Sequence, residues 1–382
     1  MLVILFRLVY NVVEVISMIK KFSVKNFKNF KDEITIDFSN KRDYEFKQDL
    51  IKNGLVNKML IYGKNNTGKS NLGAAIMDIT CHLTDNQHEN ILYNYYMNGD
   101  SIESNVDFNY LFLLENQEIE YKYSKSPNRQ LVFEEFIVNG KSIYKYNYKN
   151  NQFENLISEA QTIDMSKRNR EMSALKFIYV NTMYWPENSP VKLMIEFVKN
   201  MLWFRSLKQN EFMGLMPNGE NLSDFIINNR LTSHFQNFLS ECGQEYHLQE
   251  MSEMGKKVLG VKYKNFTARF EAIASTGTLS LWLFFYWMNR TTDISFIYLD
   301  EFDAFYHFEL SQYILRYINS KREIQSILTT HNTFLIDNDL LRPDCYFALK
   351  DGKIRSFADS TKKVIRQGHN LEKMMISGEF DE

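Results

Sequence analysis

The sequence is poor in cysteine and has almost no excess charge. Its three cysteines, Cys81, Cys242 and Cys345, lie far apart in 382 residues. They form no C-x-x-C pair and are odd in number, which excludes a disulfide framework and favours reduced thiols in the cytoplasm. Lysine and arginine (45) nearly balance aspartate and glutamate (47), so the net charge is −2. This balance excludes a global basic field, and any nucleic-acid surface has to be a local patch.

Long apolar runs are also missing. The most apolar stretch near the start, residues 1–17, is interrupted by Arg7, Asn11 and Glu14. It is too short and too charged for a membrane span, and no small-residue cleavage site follows it, so we expect neither a membrane anchor nor a signal peptide. Met18 then opens a strand-like segment. Residues 1–17 are therefore interpreted as an upstream extension of the reading frame, with a short packing or interface helix as the alternative.

The composition of the chain is sufficient for a large hydrophobic core. Hydrophobic residues make up 44% and charged residues 24%, which is typical of a globular protein. Alternating apolar residues predict strands at 19–30 and 34–38, and Asn139-Gly140 predicts a hairpin turn. The regions that we expect are an N-terminal α/β lobe (18–104), an antiparallel β-subdomain (105–150), a mostly helical inserted lobe (151–260) and a C-terminal α/β lobe (261–382).

One stretch fits the pattern G-x-x-x-x-G-K-[ST]. An apolar run at 59–62 leads into it, and a helix-like pattern follows at 71–83. Such a loop bends backbone N–H groups around an anion, and the helix N-terminus adds partial positive charge. We therefore predict an ATP site in which Lys69 contacts the β- and γ-phosphates and the Ser70 hydroxyl binds Mg²⁺. The loop consists of Gly63, Lys64, Asn65, Asn66, Thr67, Gly68, Lys69 and Ser70.

Two adjacent carboxylates, Asp300 and Glu301, follow an apolar run at 294–299 that is typical of a buried parallel strand. Open α/β sheets bind their ligands at this end of the strands. Asp300 is suited to hold Mg²⁺ through water, and Glu301 to polarise the water that attacks the γ-phosphate. A solvated acidic turn is the alternative, and the loop at 63–70 favours the metal and nucleotide site.

His331 follows the next predicted strand, at 325–330. His331 therefore follows the next strand in the same way that the carboxylate pair follows the strand before it. A histidine at this position can hydrogen-bond the γ-phosphate or the attacking water, although a lone histidine is more often structural.

Ser275, Gly277 and Thr278 precede an apolar helix predicted at 279–288. A small hydroxyl residue and a glycine at a helix N-terminus form a second anion site. Taken alone, the pattern fits an ordinary helix cap better.

In their order along the chain, these segments together with Asp303 resemble the Walker A, signature, Walker B, D-loop and H-loop motifs of an ABC-class ATPase. The opening at 22–31, FSVKNFKNFK, resembles the start of the RecF/SMC/Rad50 branch. The layout from 18 to 382 is similar to the AAA15 or OLD-like ATPases of bacterial phage-defence systems, such as AbiL and its RloB-associated relatives. The resemblance implies a P-loop ABC-type head with a mixed sheet, ATP and Mg²⁺ as cofactors, and Glu301 and His331 as catalytic residues.

The resemblance also implies partners. We expect a homodimer or higher oligomer with composite ATP sites, completed by Ser275, Gly277, Thr278 and Asp303. A separate effector, such as a nuclease, a Toprim protein or a RloB-like protein, would be controlled by this ATPase in the cytoplasm. One alternative is a RecF-like DNA repair ATPase, which the neutral net charge disfavours. The other is a scaffold that binds ATP and barely hydrolyses it, which Glu301 and His331 disfavour.

The sequence departs from the ABC pattern at several points. Asn66 replaces a common glycine, which is tolerable because asparagine accepts the left-handed conformation. The signature reads S-T-G-T and lacks the usual Gly-Gln ending. No Q-loop glutamine is evident, and the candidates are Gln87, Gln130 and Gln161. No long coiled coil interrupts the chain, and too few residues follow His331 for a Toprim domain.

A local basic cluster lies near the C-terminus, on both sides of an Asp351-Gly352 hairpin turn. It is either a nucleic-acid-binding stripe or, as we favour, a solvated hairpin and helix. Its members are Lys350, Lys353, Arg355, Lys362, Lys363 and Arg366.

Overall fold

The computed structural model describes residues 17–84, 94–169, 172–205, 211–215, 221–253 and 255–380. The predicted N-terminal extension lies outside these residues except for Ser17, where the first strand begins. The strands are β1 (Ser17–Lys25), β2 (Ile34–Asp37), β3 (Ile51–Lys52), β4 (Leu55–Val56), β5 (Lys58–Tyr62), β6 (Val106–Leu114), β7 (Gln117–Lys125), β8 (Leu131–Val138), β9 (Lys141–Asn147), β10 (Gln152–Asn155), β11 (Met201–Arg205), β12 (Glu211–Gly214), β13 (Leu248–Glu253), β14 (Lys256–Lys262), β15 (Thr267–Arg269), β16 (Phe296–Asp300), β17 (Gln325–Thr330), β18 (Tyr346–Lys350) and β19 (Lys353–Ser356). The α-helices are α1 (Lys69–Leu83), α2 (Ala174–Asn181), α3 (Pro190–Lys199), α4 (Leu222–Asn228), α5 (Thr232–Glu241), α6 (Phe270–Ile273), α7 (Thr276–Met288), α8 (Phe308–Ser320) and α9 (Leu371–Ile376).

An antiparallel sheet of seven strands, in the order β10-β9-β8-β7-β6-β1-β2, combines the strands within residues 105–150 with β1, β2 and β10 from outside that range. Along β6, buried and less buried residues alternate, so one face of the sheet packs on the core. The Asn139-Gly140 turn joins β8 to β9, and both residues have positive φ, 47° and 78°, as a tight hairpin turn requires. A buried ion pair between Lys125 on β7 and Asp78 on α1 (2.5 Å) ties this sheet to the first helix.

A second seven-stranded sheet, in the order β12-β11-β16-β17-β5-β18-β19, forms the centre of the α/β part. Neighbouring strands from β11 to β18 are parallel, and β12 and β19 add antiparallel edges. β16 and β17 are buried at every residue, which explains their continuous apolar runs. Because parallel strands end at the same edge, the ends of β5, β16 and β17 bring their following loops together.

Helix α1 follows β5 and packs across β11 and β16. It approaches the sheet unusually closely at Gly73. A Cβ atom built there would lie 2.8 Å from Cε1 of Tyr298 and 3.0 Å from the ring of Trp203. Only a glycine therefore allows the helix to lie at this distance, and the position of α1 fixes the loop before it.

The prediction of a mostly helical lobe over 151–260 is wrong in part. Helices α2 to α5 do lie in this region, and the apolar run at 177–180 belongs to α2. However, β11 joins the central sheet, and β13 and β14 pair with β15 in a separate sheet. β11 is buried at all five of its residues, so its sequence shows no alternation that would reveal a strand.

Helix α7 is apolar on all sides and is buried from Leu281 to Met288. It packs against α4 and α5, and Trp282 contacts the rings of Phe235 and Phe270. Only the first turn of α7 reaches the surface. In the described part of the chain, no helix combines the length and apolar character needed to cross a membrane.

Candidate nucleotide-binding site

The loop at 63–70 connects β5 to α1, as the sequence predicts. Gly68 caps α1 with φ of 104°, and Asn66 has φ of 66°, the left-handed conformation expected of an asparagine at this position. A Cβ atom at Gly68 would lie 2.4 Å from Nδ2 of Asn29, whose side chain also donates to the carbonyl of Thr67 (3.1 Å). The loop is thus held in a curved conformation by a contact from the β1–β2 connection.

The ammonium group of Lys69 lies at the centre of this loop. Its Nζ donates to the carbonyl oxygens of Gly63 (2.7 Å) and Lys64 (3.2 Å), and the side chain is only 3% exposed. The same Nζ lies 3.5 Å from Oε1 of Glu301. The structure therefore brings the loop lysine and the strand-end carboxylate together, although 231 intervening residues separate them.

Asp300 is the last residue of β16 and is 5% exposed. Its Oδ1 accepts a hydrogen bond from Thr329 Oγ1 (2.9 Å), and the Ser70 side chain also hydrogen-bonds it. Burial raises the pKa of Asp300, while these two hydrogen bonds and the charge of Arg205 act in the opposite direction. Ser70 and Asp300 thus present adjacent oxygen ligands, the donor type that Mg²⁺ prefers.

Glu301 has an unusual backbone conformation, with φ of 48°. Its N–H donates to Thr329 Oγ1 (2.8 Å), so one hydroxyl orients both carboxylate residues. A non-glycine residue with positive φ is uncommon and costs energy unless the surroundings hold it. Here the constrained turn directs the Glu301 carboxylate back toward Lys69.

Asp303 and His331 lie at the ends of neighbouring segments. Asp303 is buried and accepts a hydrogen bond from Thr330 Oγ1 (2.8 Å). Burial raises the pKa of Asp303, and the nearby His331 acts to lower it. His331 itself is exposed directly after β17, so its ring is accessible from outside the chain.

The segment at 275–278 forms a helix cap in this chain. Ser275 Oγ accepts from the N–H of Thr278 (3.1 Å), and Thr278 Oγ1 donates to Gln244 Oε1 (2.7 Å). Ser275 is exposed, and a Cβ atom at Gly277 would lie 3.2 Å from the carbonyl oxygen of Phe305. Among the described residues no hydrogen bond joins this segment to the loop at 63–70, so one chain does not unite the two motifs.

Several residues at the site carried no sequence prediction. Tyr298 donates its hydroxyl to the carbonyl of Lys69 (2.7 Å), and Asn29 holds the loop. Arg205 ends β11 in parallel register with Asp300, and its guanidinium lies 5.0 Å from the Trp203 ring. Asn29 belongs to the FSVKNFKNFK opening, whose resemblance to the RecF/SMC/Rad50 branch could have indicated it as a site residue. Arg205 could not be identified because the sequence does not predict its strand, β11.

Two of the three Q-loop candidates, Gln130 and Gln161, lie away from the site. Gln87 falls outside the described residues. Gln130 follows β7 in a surface turn, and Gln161 donates to the carbonyls of Asn155 and Ile157 in the β-subdomain. The strand end next to Asp300 is occupied by Arg205 instead.

Comparisons with known proteins agree with this architecture. A family model described as "AAA domain, putative AbiEii toxin, Type IV TA system" matches residues 255–337, the region that contains the signature segment, the carboxylate pair and His331. The comparison with curated proteins gave no match.

Among solved structures, the Smc head domain with an extended coiled coil from Pyrococcus furiosus, bound to the C-terminal domain of ScpA, is similar over 96% of this chain and 100% of that chain, with a TM-score of 0.51 and 12% identity. An SmcHead bound to the C-winged helix domain of ScpA covers 94% and 99% of the two chains (TM-score 0.49, 16% identity). The Smc head domain of Pyrococcus yayanosii covers 95% and 99% (TM-score 0.49, 10% identity). The likeness to the Pyrococcus furiosus structure shows that the chain has the mixed α/β fold of SMC head domains, and the family match supports an AAA-type domain at residues 255–337.

Proposed function

We propose that this protein binds ATP with Mg²⁺ and hydrolyses it where the loop at 63–70 meets the ends of β16 and β17. One observation carries the proposal: Lys69 Nζ lies 3.5 Å from Glu301 Oε1, next to the buried Asp300 that Ser70 contacts. A phosphate-binding cation, two oxygen ligands for a metal and a carboxylate base thereby lie within one small volume. This combination is what phosphoryl transfer to water requires.

Each residue then has a defined role. The loop N–H groups and Lys69 bind the phosphate oxygens. Ser70 and Asp300 would hold Mg²⁺, which neutralises charge on those oxygens when bound. Glu301 accepts a proton from the attacking water, and His331 donates a hydrogen bond toward the γ-phosphate. Because Lys69 and Glu301 are paired, an incoming phosphate competes with Glu301 for Lys69 and releases the carboxylate for its role as base.

A phosphate-release assay tests this assignment. Lys69→Ala should lower ATP turnover about 100-fold or more, since it removes the cation that stabilises charge on the transferred group. Glu301→Gln should slow hydrolysis to a similar extent while ATP binding is retained. Lys167→Ala and Glu309→Gln are matched controls because both side chains are exposed and pair with residues outside the loop, Asp164 and His307. Wild-type turnover by Lys69→Ala would mean that the loop is misassigned.

The biological role that we propose is that of a sensor or regulator subunit in a bacterial anti-phage system, acting on a separate effector. The support is the AbiEii and toxin–antitoxin description of the matching family, together with the AAA15-like layout of the motifs. Cells carrying this gene with its genomic neighbours should resist phage, and Glu301→Gln should abolish the resistance. If infection proceeds equally with the wild type and with the empty vector, this role is refuted while the ATPase assignment stands.

A RecF-like role in DNA repair is the second candidate. It is supported by the SMC-head fold and by the basic residues around the β18–β19 hairpin. The two roles differ in one measurement, since a repair ATPase should bind duplex DNA more tightly with ATP than without it. Such binding should weaken steeply as salt is raised.

A further inference from the structure

A cavity of about 780 Å³ opens beside the outer face of the phosphate loop. Its walls are the first half of that loop, the β18–β19 hairpin and the C-terminal segment around α9. The volume lies in the range of sites that enclose ligands of nucleotide size. None of the catalytic side chains described above lines this cavity.

The strand order of the central sheet determines the direction in which a bound nucleotide extends from the loop. β5, which carries the loop, lies between β17 and β18, and β16 with Asp300 and Glu301 lies beyond β17. The γ-phosphate is directed toward β16 because the metal ligands and the base are there. The remainder of the molecule therefore extends toward β18, which is the side on which the cavity opens.

The lining has a mixed character that suits a nucleoside. Four basic side chains and one acidic side chain give it a net positive charge, although the protein as a whole is slightly acidic. Apolar side chains form the remaining surface, and one of them, Ile376, is 70% exposed at the end of α9. The basic residues are Lys64, Lys350, Lys353 and Arg355, and the main apolar ones are Leu349, Phe357, Met375, Ile376 and Phe380.

The turn of the hairpin wall lies close to Asn29, a residue that contacts the loop. Asp351 and Gly352 form its turn with φ of 50° and 72°. A Cβ atom at Gly352 would lie 3.6 Å from the carbonyl oxygen of Asn29, and the Asn29 side chain bonds the loop at Thr67. Asn29 therefore lies between the turn of the hairpin wall and the phosphate loop.

We propose that this cavity holds the base and ribose of the nucleotide whose phosphates the loop binds. This inference rests on the proposed function. A planar base packs against the apolar residues of β18 and α9, and the basic side chains face the α-phosphate and the ribose hydroxyls. Lys350, Lys353 and Arg355, the members of the basic cluster that line the cavity, then serve nucleotide binding and are not part of a polynucleotide stripe.

Calorimetric titration with ATP and with inorganic triphosphate tests the proposal, because triphosphate lacks a base. Ile376→Ser should weaken ATP binding about threefold or more by removing apolar contact, while triphosphate affinity stays unchanged. Val364→Ser is the matched control, since Val364 is a 78% exposed residue of the same C-terminal segment that does not line the cavity. It should change neither affinity.

The outcomes separate the two proposals. If Ile376→Ser leaves ATP affinity unchanged, or weakens both ligands equally, the base does not occupy the cavity, and the ATPase assignment is unaffected. Two ATP molecules per chain, only one of which triphosphate displaces, would mean that the cavity takes a separate nucleotide, which also overturns the inference. If the wild type binds neither ligand, the proposed function itself fails.

Photolabelling with 8-azido-ATP tests the position of the base independently. It uses the wild-type chain, so misfolding of a variant cannot affect the result. The reactive position is on the base, so the label should map by mass spectrometry to peptides within residues 346–380. Excess triphosphate should remove the label. Labelling confined to peptides outside residues 346–380 would overturn the proposal.

Discussion

At the scale of single residues, the site depends on groups that support the catalytic side chains. Thr329 Oγ1 donates to Asp300 and accepts from the N–H of Glu301, so it fixes both carboxylate residues at once. The threonine lies directly before the Thr330-His331 segment, but its position in the sequence does not indicate this role. Sequence patterns identify residues that perform chemistry, whereas such supporting contacts arise only when distant strands pair.

Replacing Thr329 with valine should test this support. The change keeps the shape of the side chain but leaves Asp300 and the strained Glu301 turn without a hydrogen bond worth about 1.5–3 kcal/mol. We expect ATP turnover to fall about tenfold or more, and the Mg²⁺ concentration for half-maximal activity to rise. Thr182→Val is the control because its hydroxyl donates to the carbonyl of Ile178 in α2, outside the site. A normal Mg²⁺ requirement in Thr329→Val would show that the hydroxyl is only structural.

Arg205 offers a test that depends on pH. Its positive charge favours the ionised form of Asp300, whose pKa burial raises. Replacing Arg205 with methionine removes that charge, so the pKa of Asp300 should rise further. The ionised carboxylate would then be lost at a higher pH, and the acidic limb of the pH profile of kcat should shift upward. Arg205→Lys should restore much of the original profile, and an unshifted profile in Arg205→Met would refute the electrostatic role.

At the scale of elements, strands whose ends are marked by characteristic flanking residues could be predicted from the sequence. Strands without such flanking residues could not. The strand predicted at 325–330 is β17 itself, and α1 begins at Lys69 close to the predicted start. Their apolar runs are bounded by glycines, carboxylates or a histidine, which mark the ends. β11 has no such boundary, because it directly follows α3 and is buried on both faces. Because the sequence does not predict β11, it also does not indicate Arg205 as part of the site.

The packing of α1 on the sheet gives a prediction for an element. Gly73→Ala should force the helix away from Tyr298 and Trp203, at a cost of about 1–3 kcal/mol in the free energy of unfolding. It should also weaken ATP binding, because Tyr298 supports the carbonyl of Lys69. Gly99→Ala is the control, since no atom lies within 4 Å of its added Cβ. Chemical denaturation and ATP titration measure the two effects, and equal stability of both variants would contradict the close approach.

At the scale of the whole molecule, we propose a dimer with shared sites. Ser275 and His331 are both exposed. The resemblance to ABC-class ATPases implies that Ser275 completes the ATP site of a partner chain. Phe305 and Phe334, which flank the same region, are also exposed large apolar side chains. In a two-fold interface each chain would place its signature segment over the loop of the other, so two sites form together. Such an arrangement accounts for a helix cap that makes no hydrogen bond to the loop of its own chain.

Mixing two inactive variants provides the decisive measurement. Lys69→Ala disables the loop, and Gly277→Asp places a negative charge where a partner's γ-phosphate would lie. A mixed dimer contains one site with both lesions and one site with neither, so part of the ATPase activity should return on mixing. Fluorescence energy transfer between labelled chains must first establish that subunits exchange. If exchange is complete and no activity returns, the signature segment does not act on the partner's nucleotide, and residues 275–278 serve only as the N-terminal cap of α7.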